Sequence, residues 1–455
     1  GPMVRRLALG ALCLGQFMLQ LDTTIVNVAL PNIAQDLHAR TSDLQWVVDG
    51  YILALASLLL STGRIGDRSG HKRVYLTGLG IFGLGSGLCA LATSTGELTA
   101  FRVIQGIGAA MELPATLALV RGTFPDPRRR GLAIGIWTGS GGLSLVLGPV
   151  IGGALIRAFD WRAVFLVNLP VALVAGVLAA VTVREYQSPS PGHLDLPGQV
   201  LGATGLGLLA GAAIETGAEG FLHALPVGLF LGGAGALAAF VLVERLRPEP
   251  MLPLGYFRDR AYSAANFGGL VMGFVIFSFL FAFPLYFQQV EGESALASGL
   301  KFIPLCGAFA LIGPVIGRLV HRTGHRVPMT AGLSLIALGA VLLLSVGART
   351  GYGAIGPAFL LVGIGYGLVS TPMANAVLAA VPANRAGMAA STNNTARQIG
   401  GVFSVAVIGS LLPTGAGGED YAGRFVTGLH TGLGLIAGVS VLGAVLALTQ
   451  IPRRV

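Results

Sequence analysis

The chain consists of apolar runs of about 20 residues separated by short polar segments, and this repetition limits its fold more than any other feature. A run of that length with few charges spans the hydrocarbon core of a bilayer, which is ~30 Å thick, as an α-helix. Charged residues make up 11% of the chain and hydrophobic residues 53%, whereas a soluble domain carries about 25% charged residues. We therefore predict an all-α polytopic membrane protein.

The apolar runs predict fourteen spans, arranged as two six-helix bundles with two inserted helices between them. Residues 1–2 are interpreted as an expression scar, 3–184 as the N-terminal bundle, 185–250 as the insert (spans 7 and 8 with their loops) and 251–455 as the C-terminal bundle. A repeat supports this division, because Gly63–Arg73 follows span 2 and the similar Gly317–Arg326 follows span 10. Repeated halves with a site between them near the membrane midplane are typical of secondary transporters.

Most of the 29 basic residues fall in alternate loops. This bias predicts that both termini are cytoplasmic, which agrees with an even number of spans. The net charge of +9 then follows from topology, and no nucleic-acid partner is needed to explain it. We expect a multi-pass protein of the cytoplasmic membrane, most simply bacterial, that acts as a monomer among membrane lipids.

Nothing in the sequence indicates a metal or cofactor. The three cysteines lie inside apolar runs, which argues against a disulfide framework or a cysteine-based metal site. Neither Lys72 nor Lys301 follows the glycine pattern of a P-loop. We predict no catalytic residues, no metal and no cofactor, so that any driving force comes from a proton gradient.

Five ionisable residues are predicted to lie in or near the ends of spans: Asp22, Asp49, Arg102, Glu112 and Arg397. Such a residue costs about 2.5–3.5 kcal/mol at the centre of a membrane helix and usually faces a cavity or a partner. Asp22 and Arg102 lie at similar depth, so they can pair. Their separation would favour proton uptake by the carboxyl, which predicts a proton switch; purely structural pairing is the alternative.

The other three leave more than one interpretation open. Glu112 lies deeper, and it is interpreted as a proton site, a determinant of cationic substrates or a packing residue. For Asp49, beside Trp46 and Tyr51, we expect a position at the membrane interface. For Arg397 we expect structural hydrogen bonds to the opposite half.

Four motifs resemble those of the major facilitator superfamily, in particular its branch of fourteen-span drug:proton antiporters. They are the Gly63–Arg73 loop, the first-span segment Leu21–Pro31, the span-4 segment Arg102–Gly108, and Gly139 followed by Gly148-Pro149-Val-Ile-Gly152-Gly153 in span 5. Further matches are Trp161–Pro170 and Asn393–Gly401. The resemblance covers essentially the whole chain.

The resemblance implies roles for particular residues. It implies that proton coupling involves Asp22, Arg102 and Glu112. It implies that gating involves Gly63, Asp67, Arg68, Gly70 and Arg73. Contact between the halves would involve Gly139, Gly148, Pro149, Gly152 and Gly153. By the same analogy, Asp67 would latch onto the start of span 13 near Gly387. Candidate cavity residues are Glu112, Asn27, Asn393, Arg397 and Phe283, although core packing is the alternative for Phe283.

Together these observations predict a transporter, not an enzyme. The function expected is proton-coupled efflux of small hydrophobic or cationic drugs by alternating access, with small-molecule substrates and protons as partners. A dedicated exporter of one metabolite or self-made antibiotic is the alternative. An integral-membrane enzyme is less favoured, because no nucleophile–base or metal constellation is apparent in the sequence.

Overall fold

A computed structural model describes residues 2–187, 195–220, 223–247, 250, 252, 254–382, 386–413 and 420–452. Gly1 of the predicted scar and much of the loop that joins the first bundle to the insert therefore lie outside the described residues. The described residues contain helices and no strands.

The first half of the molecule comprises seven helices: α1 (Pro2–Asp36), α2 (Thr41–Ser69), α3 (His71–Leu91), α4 (Thr95–Thr123), α5 (Pro127–Ala158), α6 (Ala163–Leu166) and α7 (Asn168–Thr182). The insert comprises α8 (Leu196–Glu219) and α9 (Ala224–Leu246). The second half contains α10 (Arg260–Leu285), α11 (Ala295–Leu300), α12 (Ile303–Thr323), α13 (Arg326–Leu342), α14 (Tyr352–Ala379), α15 (Ala386–Leu411) and α16 (Tyr421–Gln450). A 3₁₀ turn (Leu254–Arg258) precedes α10, a π-helical turn (Tyr286–Val290) extends it, and a further 3₁₀ turn (Leu343–Ser345) follows α13.

The two halves repeat one packing pattern. In the first half α1 packs on α5, and α4 packs on α2 and α3. In the second half α10 packs on α15, and α14 packs on α12 and α13. The repeated loops also turn alike, since each ends a helix at a glycine with positive φ, +100° at Gly70 and +72° at Gly324. Glycine adopts this conformation without the steric cost that a side chain would add.

Thirteen helical segments among the described residues are long and apolar enough to cross a membrane. The predicted span at 388–412 corresponds to α15, which is not among the thirteen. Its apolar sequence is interrupted by Asn393, Asn394, Arg397 and Gln398. The total of fourteen spans therefore stays a prediction.

Asn32 near the end of α1 bonds to Gln288, and Tyr421 at the start of α16 bonds to Gln289, so α1 begins and α16 ends at the same end of the bundle. We call this end the terminal face and the other end the opposite face. In the insert, α8 packs against α2 and α15, whereas α9 packs on α8. Among the described helices, α8 therefore provides most of the contact of the insert with the two halves.

Candidate functional site

The centre of the site is a buried ion pair between α1 and α4. Arg102 Nη1 lies 2.5 Å from Asp22 Oδ2, and the side chains are 2% and 0% exposed. The structure therefore brings together the two residues that the sequence placed at one depth. Two buried charges remain ionised only when their pairing and hydrogen bonding repay the cost of dehydration.

Neutral side chains supply that hydrogen bonding. Gln105 Nε2 and Asn168 Nδ2 each donate to Asp22 Oδ1 at 2.9 Å. Both amides also donate to Ser86 Oγ, at 3.0 and 2.9 Å. The carboxylate therefore has acceptor bonds on both oxygens. The site assignments drawn from the sequence did not include Asn168 or Ser86; the signal for Asn168 was an amide inside an apolar span.

The Arg102 guanidinium is enclosed just as fully. Its Nη1 donates to Gln105 Oε1 at 2.7 Å, and its Nε donates to the Val47 carbonyl at 3.3 Å. The Tyr51 ring lies 4.3 Å from the guanidinium carbon, within the range of a cation–π contact. Residues of four helices, α1, α2, α4 and α7, therefore form or contact this ion pair, and α2 does so with the Val47 carbonyl as well as with a side chain.

Glu112 is buried separately in the first half, nearer the terminal face. Its side chain is fully buried, and neither carboxyl oxygen has a hydrogen-bond partner among the described residues. A methyl group placed on Gly15 of α1 would collide with Glu112 Oε1 and with the Tyr75 hydroxyl. Glycine at position 15 thus leaves room for a carboxyl held between α1, α3 and α4.

The expectation for Asp49 is wrong. We expected it at the membrane interface, but its side chain is 0% exposed and neither of its oxygens has a hydrogen-bond partner in the described part of the chain. It lies one turn along α2 from Gln45, which contacts α15 of the second half. The sequence neighbours Trp46 and Tyr51 suggested an interface because α8 and α15, which cover this part of α2, are remote in sequence.

Hydrogen bonds between the halves lie toward the opposite face. Gln45 Nε2 donates to the carbonyls of Val405 and Ala406 at 3.0 and 2.7 Å. Gln288, in the π-helical turn, accepts from Asn32 Nδ2 at 3.2 Å and donates to the Val28 carbonyl at 3.0 Å. We call the close approach of α1, α2 and α5 to α10, α11 and α15 the seal.

The glycine-proline motif of α5 forms part of this seal. Gly148 and Gly152 lie against Thr24 and Ile25 of α1, so their nearest neighbours are in their own half and not, as the resemblance had implied, in the second half. A methyl group on Gly153 would stand 2.5 Å from Leu296 Cα, and the Pro149 carbonyl leaves no room for a side chain at Gly299 of α11. Small residues at such positions let helices approach closely. Gly139 has open space beside it, so the structure does not place it in the seal.

The repeated loop of the first half makes contacts within that half and with the segment that follows α7. Asp67 Oδ1 lies 3.0 Å from Nε2 of His71, and its side chain is 35% exposed. Glu185 accepts from the backbone N–H groups of Lys72 and Arg73 at 2.8 and 3.3 Å, next to the turn at Gly70. Arg68 and Arg73 are exposed, and Gly63 lies in the last turns of α2.

The predicted latch between Asp67 and the start of span 13 is not tested. Its expected contact lies at residues 383–387, and 383–385, which lead into α15, are outside the described residues. The latch therefore stays a prediction.

The remaining candidate cavity residues are held within their own halves. Asn27 donates to the Thr23 carbonyl at 2.7 Å, and Asn393 donates to the Ala265 carbonyl at 3.3 Å. Arg397 donates to Asn394 at 2.5 Å and faces Tyr366 of α14. We expected Arg397 to bond to the opposite half, but its described partners, Asn394 and Tyr366, are both in its own half. The reason is that α15 directs the Arg397 side chain toward α14.

Phe283 lies in an aromatic cluster inside the second half. It is 1% exposed, and its ring centroid is 5.2 Å from that of Phe279 and 4.8 Å from that of Phe359. Core packing accounts for these contacts. A small apolar pocket does lie between the halves, and it is lined by Thr24, Leu145, Ile276, Leu280, Leu305, Cys306, Phe309 and Tyr366.

Comparison with known proteins identifies the family. A sequence profile described as Major Facilitator Superfamily matches residues 12–405. The chain belongs to the major facilitator superfamily. The motifs noted in the sequence are therefore those of a true member, and the predicted resemblance is confirmed.

Three relatives indicate what members similar to this chain do. It is 37% identical to Multidrug resistance protein Stp of Mycobacterium tuberculosis over 411 residues, covering 89% of this chain and 75% of that protein. It is 36% identical to the Tetracenomycin C resistance and export protein of Streptomyces glaucescens, covering 90% and 76%. It is 37% identical to the Cephamycin export protein CmcT of Amycolatopsis lactamdurans, covering 90% and 86%. All three carry names of resistance or export proteins.

Solved structures agree on the fold of this superfamily member. A bacterial homologue of the human lysosomal transporter Spinster, described as inward-facing and unoccupied, matches with a TM-score of 0.69 at 18% identity, covering 98% of this chain and 96% of that one. The nucleoside transporter NupG matches with a TM-score of 0.66 at 13% identity, covering 98% and 100%. The protein is a multi-pass membrane transporter of the superfamily and not an enzyme.

Proposed function

We propose that this protein exports small hydrophobic or cationic drugs across the bacterial cytoplasmic membrane in exchange for protons. The observation that carries the proposal is the position of the Asp22–Arg102 pair. Asp22 lies on α1, whose later turns contact the second half, because Gln288 accepts from Asn32 and donates to the Val28 carbonyl. One helix therefore carries both a titratable carboxyl and one wall of the closed interface.

Protonation of Asp22 would change the balance of forces in the buried network. The ionised carboxylate accepts from Arg102, Gln105 and Asn168. A proton on that carboxyl cancels its charge and leaves the Arg102 cation without a counterion in a region that water does not reach. A lone buried charge is strongly unfavourable, so α1 and α4 would have to rearrange.

Such a rearrangement would act on the seal through α1. The next turns of α1 carry Thr24 and Ile25 against α5, and then Val28 and Asn32 against Gln288 of the second half. A shift or rotation of α1 would therefore loosen contacts between the halves at the opposite face. Alternating access needs this link, because a proton can shift the equilibrium between the closed and open seal only if it binds the two conformations with different affinity.

For orientation we propose that the terminal face is cytoplasmic, since the positive-inside rule assigns it most of the basic loops. With the seal at the opposite face, the described conformation would then open inward. We further propose that the transporter acts as a monomer, needs no cofactor and draws on the proton gradient. At about 2.3 kcal/mol per elementary charge per 100 mV, a membrane potential adds to this force when net charge moves.

The apolar pocket between the halves supports hydrophobic substrates. Its lining comes from α1 and α5 on one side and from α10, α12 and α14 on the other. The only polar groups in that lining are on Thr24, Tyr366 and Cys306. At about 10 Å³ the pocket is too small for a drug in the described conformation, so it would have to enlarge as the halves move. The enlarged lining would then select for apolar area and shape more than for a particular hydrogen-bonding pattern.

A dedicated exporter of one antibiotic is the second candidate. Two relatives at 36% and 37% identity are named for the export of tetracenomycin C and cephamycin. A single-substrate transporter would use the same proton switch and differ only in its pocket. Transport of a panel of unrelated compounds separates the two candidates.

The test is transport by purified protein in proteoliposomes with an imposed pH gradient. Wild type should move substrates against their gradient, and Asp22→Asn should abolish this coupled export. The amide keeps an acceptor for Gln105 and Asn168 but leaves Arg102 without its counterion, so a loss of stability is expected as well. Thermal unfolding of the purified variant must therefore show a folded protein before its transport is compared. Asp160→Asn changes a carboxylate that is 56% exposed and serves as the control. Gradient-driven export by Asp22→Asn at the wild-type rate would refute the assignment.

A further inference from the structure

A cavity at the terminal face of the second half is not used by the proposed transport cycle. It has a volume of about 830 Å³ and is lined by Arg322, Thr323, Arg326, Val327, Thr330, Ala331 and Leu448. The lining thus comes from the end of α12, the start of α13 and the end of α16. The lining combines two arginines with apolar side chains.

The turn at Gly324 brings the two arginines together. Arg322 lies in the last turn of α12, and Arg326 is the first residue of α13. The positive φ of Gly324 reverses the chain between them. Burial lowers the pKa of His325, which lies in the same turn, so its ring is neutral near pH 7. The charge at the cavity therefore comes from the guanidinium groups.

These arginines have no acidic counterpart nearby in sequence or among the described contacts. The sequence contains no Asp or Glu between Glu293 and Glu419. No ion pair involving Arg322 or Arg326 occurs among the described residues. Asp259, a carboxylate at the same face, caps its own helix instead, since it accepts from the Tyr262 N–H at 2.9 Å. The positive-inside rule explains why basic residues lie at this face, but it does not require a cavity between them.

Two further features suit an anionic group that carries a hydrophobic tail. The Thr330 hydroxyl is buried and has no hydrogen-bond partner among the described residues, and it lines the cavity together with the arginines. Val327 and Leu448 are 52% and 47% exposed and form the apolar wall. A phosphate beside the arginines would have charge-assisted donors, and acyl chains would cover the exposed apolar wall.

We propose that this cavity is a binding site for the headgroup of an anionic phospholipid from the leaflet that meets the terminal face. Arg322 and Arg326 would hold the phosphate, and Thr330 would donate to one of its oxygens or to a headgroup hydroxyl. Basic pockets between membrane helices are known to recognise anionic lipids in this way. The site lies in the second half, apart from the Asp22–Arg102 network of the first.

The experiment is native mass spectrometry of the detergent-purified full-length protein titrated with phosphatidylglycerol, phosphatidylcholine or inorganic phosphate. Wild type should retain phosphatidylglycerol in preference to phosphatidylcholine. Arg322→Gln together with Arg326→Gln should weaken phosphatidylglycerol binding roughly 25-fold, since one basic residue near an anionic lipid surface contributes about 1 kcal/mol, which is about fivefold for each arginine. Thr330→Val should weaken it by a smaller factor.

The matched control is Arg349→Gln together with Arg424→Gln, which removes two arginines from cavities at the opposite face. These variants should keep wild-type binding. If the Arg322 and Arg326 pair does not purify, the single variants provide the same comparison. Equal binding of the two lipids, or equal losses in both pairs, would overturn the proposal. Inorganic phosphate that binds as tightly as phosphatidylglycerol would indicate a free-anion site instead and would also overturn it.

Discussion

The two halves share a helix-packing pattern but differ in the chemistry of their interiors. The first half buries Asp22, Asp49, Arg102 and Glu112. At the centre of the second half is an aromatic cluster formed by Phe279, Phe283, Phe287, Phe302 and Phe359, and no acidic residue occurs from 294 to 418. The two halves therefore share a backbone arrangement but have different interior chemistry.

This difference suggests a division of labour. A titratable first half can change its hydrogen bonding when a proton arrives, whereas a closely packed aromatic interior resists deformation and moves as one body. The glycine-proline motif connects them, because α5 contacts α1 on one side and α11 on the other. Substitutions in one half can therefore be compared with matched substitutions in the other half or elsewhere in the same motif.

The largest effect is expected from removing the buried cation of the first half. Arg102→Met leaves the Asp22 carboxylate buried without its counterion, and breaking such a pair costs about 3–5 kcal/mol. Arg397→Met in the second half removes a guanidinium that is bonded to the neutral Asn394 side chain, so it should cost clearly less. Thermal unfolding of the two purified variants in the same detergent measures the difference. Equal losses would contradict a special role for the charged network.

An intermediate effect is expected at the seal. Gly153→Ala places a methyl group 2.5 Å from Leu296 Cα, and overpacking of this kind costs about 1–3 kcal/mol. The cost falls on the conformation closed at the opposite face, so export should drop and a cysteine introduced near Asn32 should become easier to label. Gly139→Ala, in the same motif but beside open space, should cause a much smaller change. Similar behaviour of the two variants would show that the seal does not depend on the close approach at Gly153.

The smallest effect on stability is expected at Glu112. Glu112→Gln preserves shape at a site where no described residue bonds to the carboxyl, so unfolding should change by less than about 1 kcal/mol. The sequence alone suggested that this variant would lose cationic substrates and keep neutral ones. Because Glu112 is buried between α1, α3 and α4 and does not line the pocket between the halves, we now expect equal losses for both. Uptake assays with a cationic and a neutral substrate decide, and a loss confined to cations would restore the earlier interpretation.

Particular residues show why part of the site could be predicted from sequence. Asp22 and Arg102 were identified because a charged residue within an apolar run has a high free-energy cost unless it faces a partner or a cavity. Their equal depth then favours pairing with each other. Asn168 and Ser86 were missed because neutral polar residues are common in membrane helices and give little signal alone. Asp49 was misplaced because its burial depends on α8 and α15, which are more than 140 residues away in sequence.

The sequence by itself determined that the chain crosses a membrane many times, that its halves repeat and that it belongs to the major facilitator superfamily. These properties follow from hydropathy, helical rise and local motifs, all of which act over short stretches of chain. Only the tertiary structure decided which buried charges meet, which face is closed and which glycines allow close approach. Those properties depend on side-chain contacts between distant helices, and hydrophobic patterning does not specify them, since lipid and protein interiors are almost equally apolar.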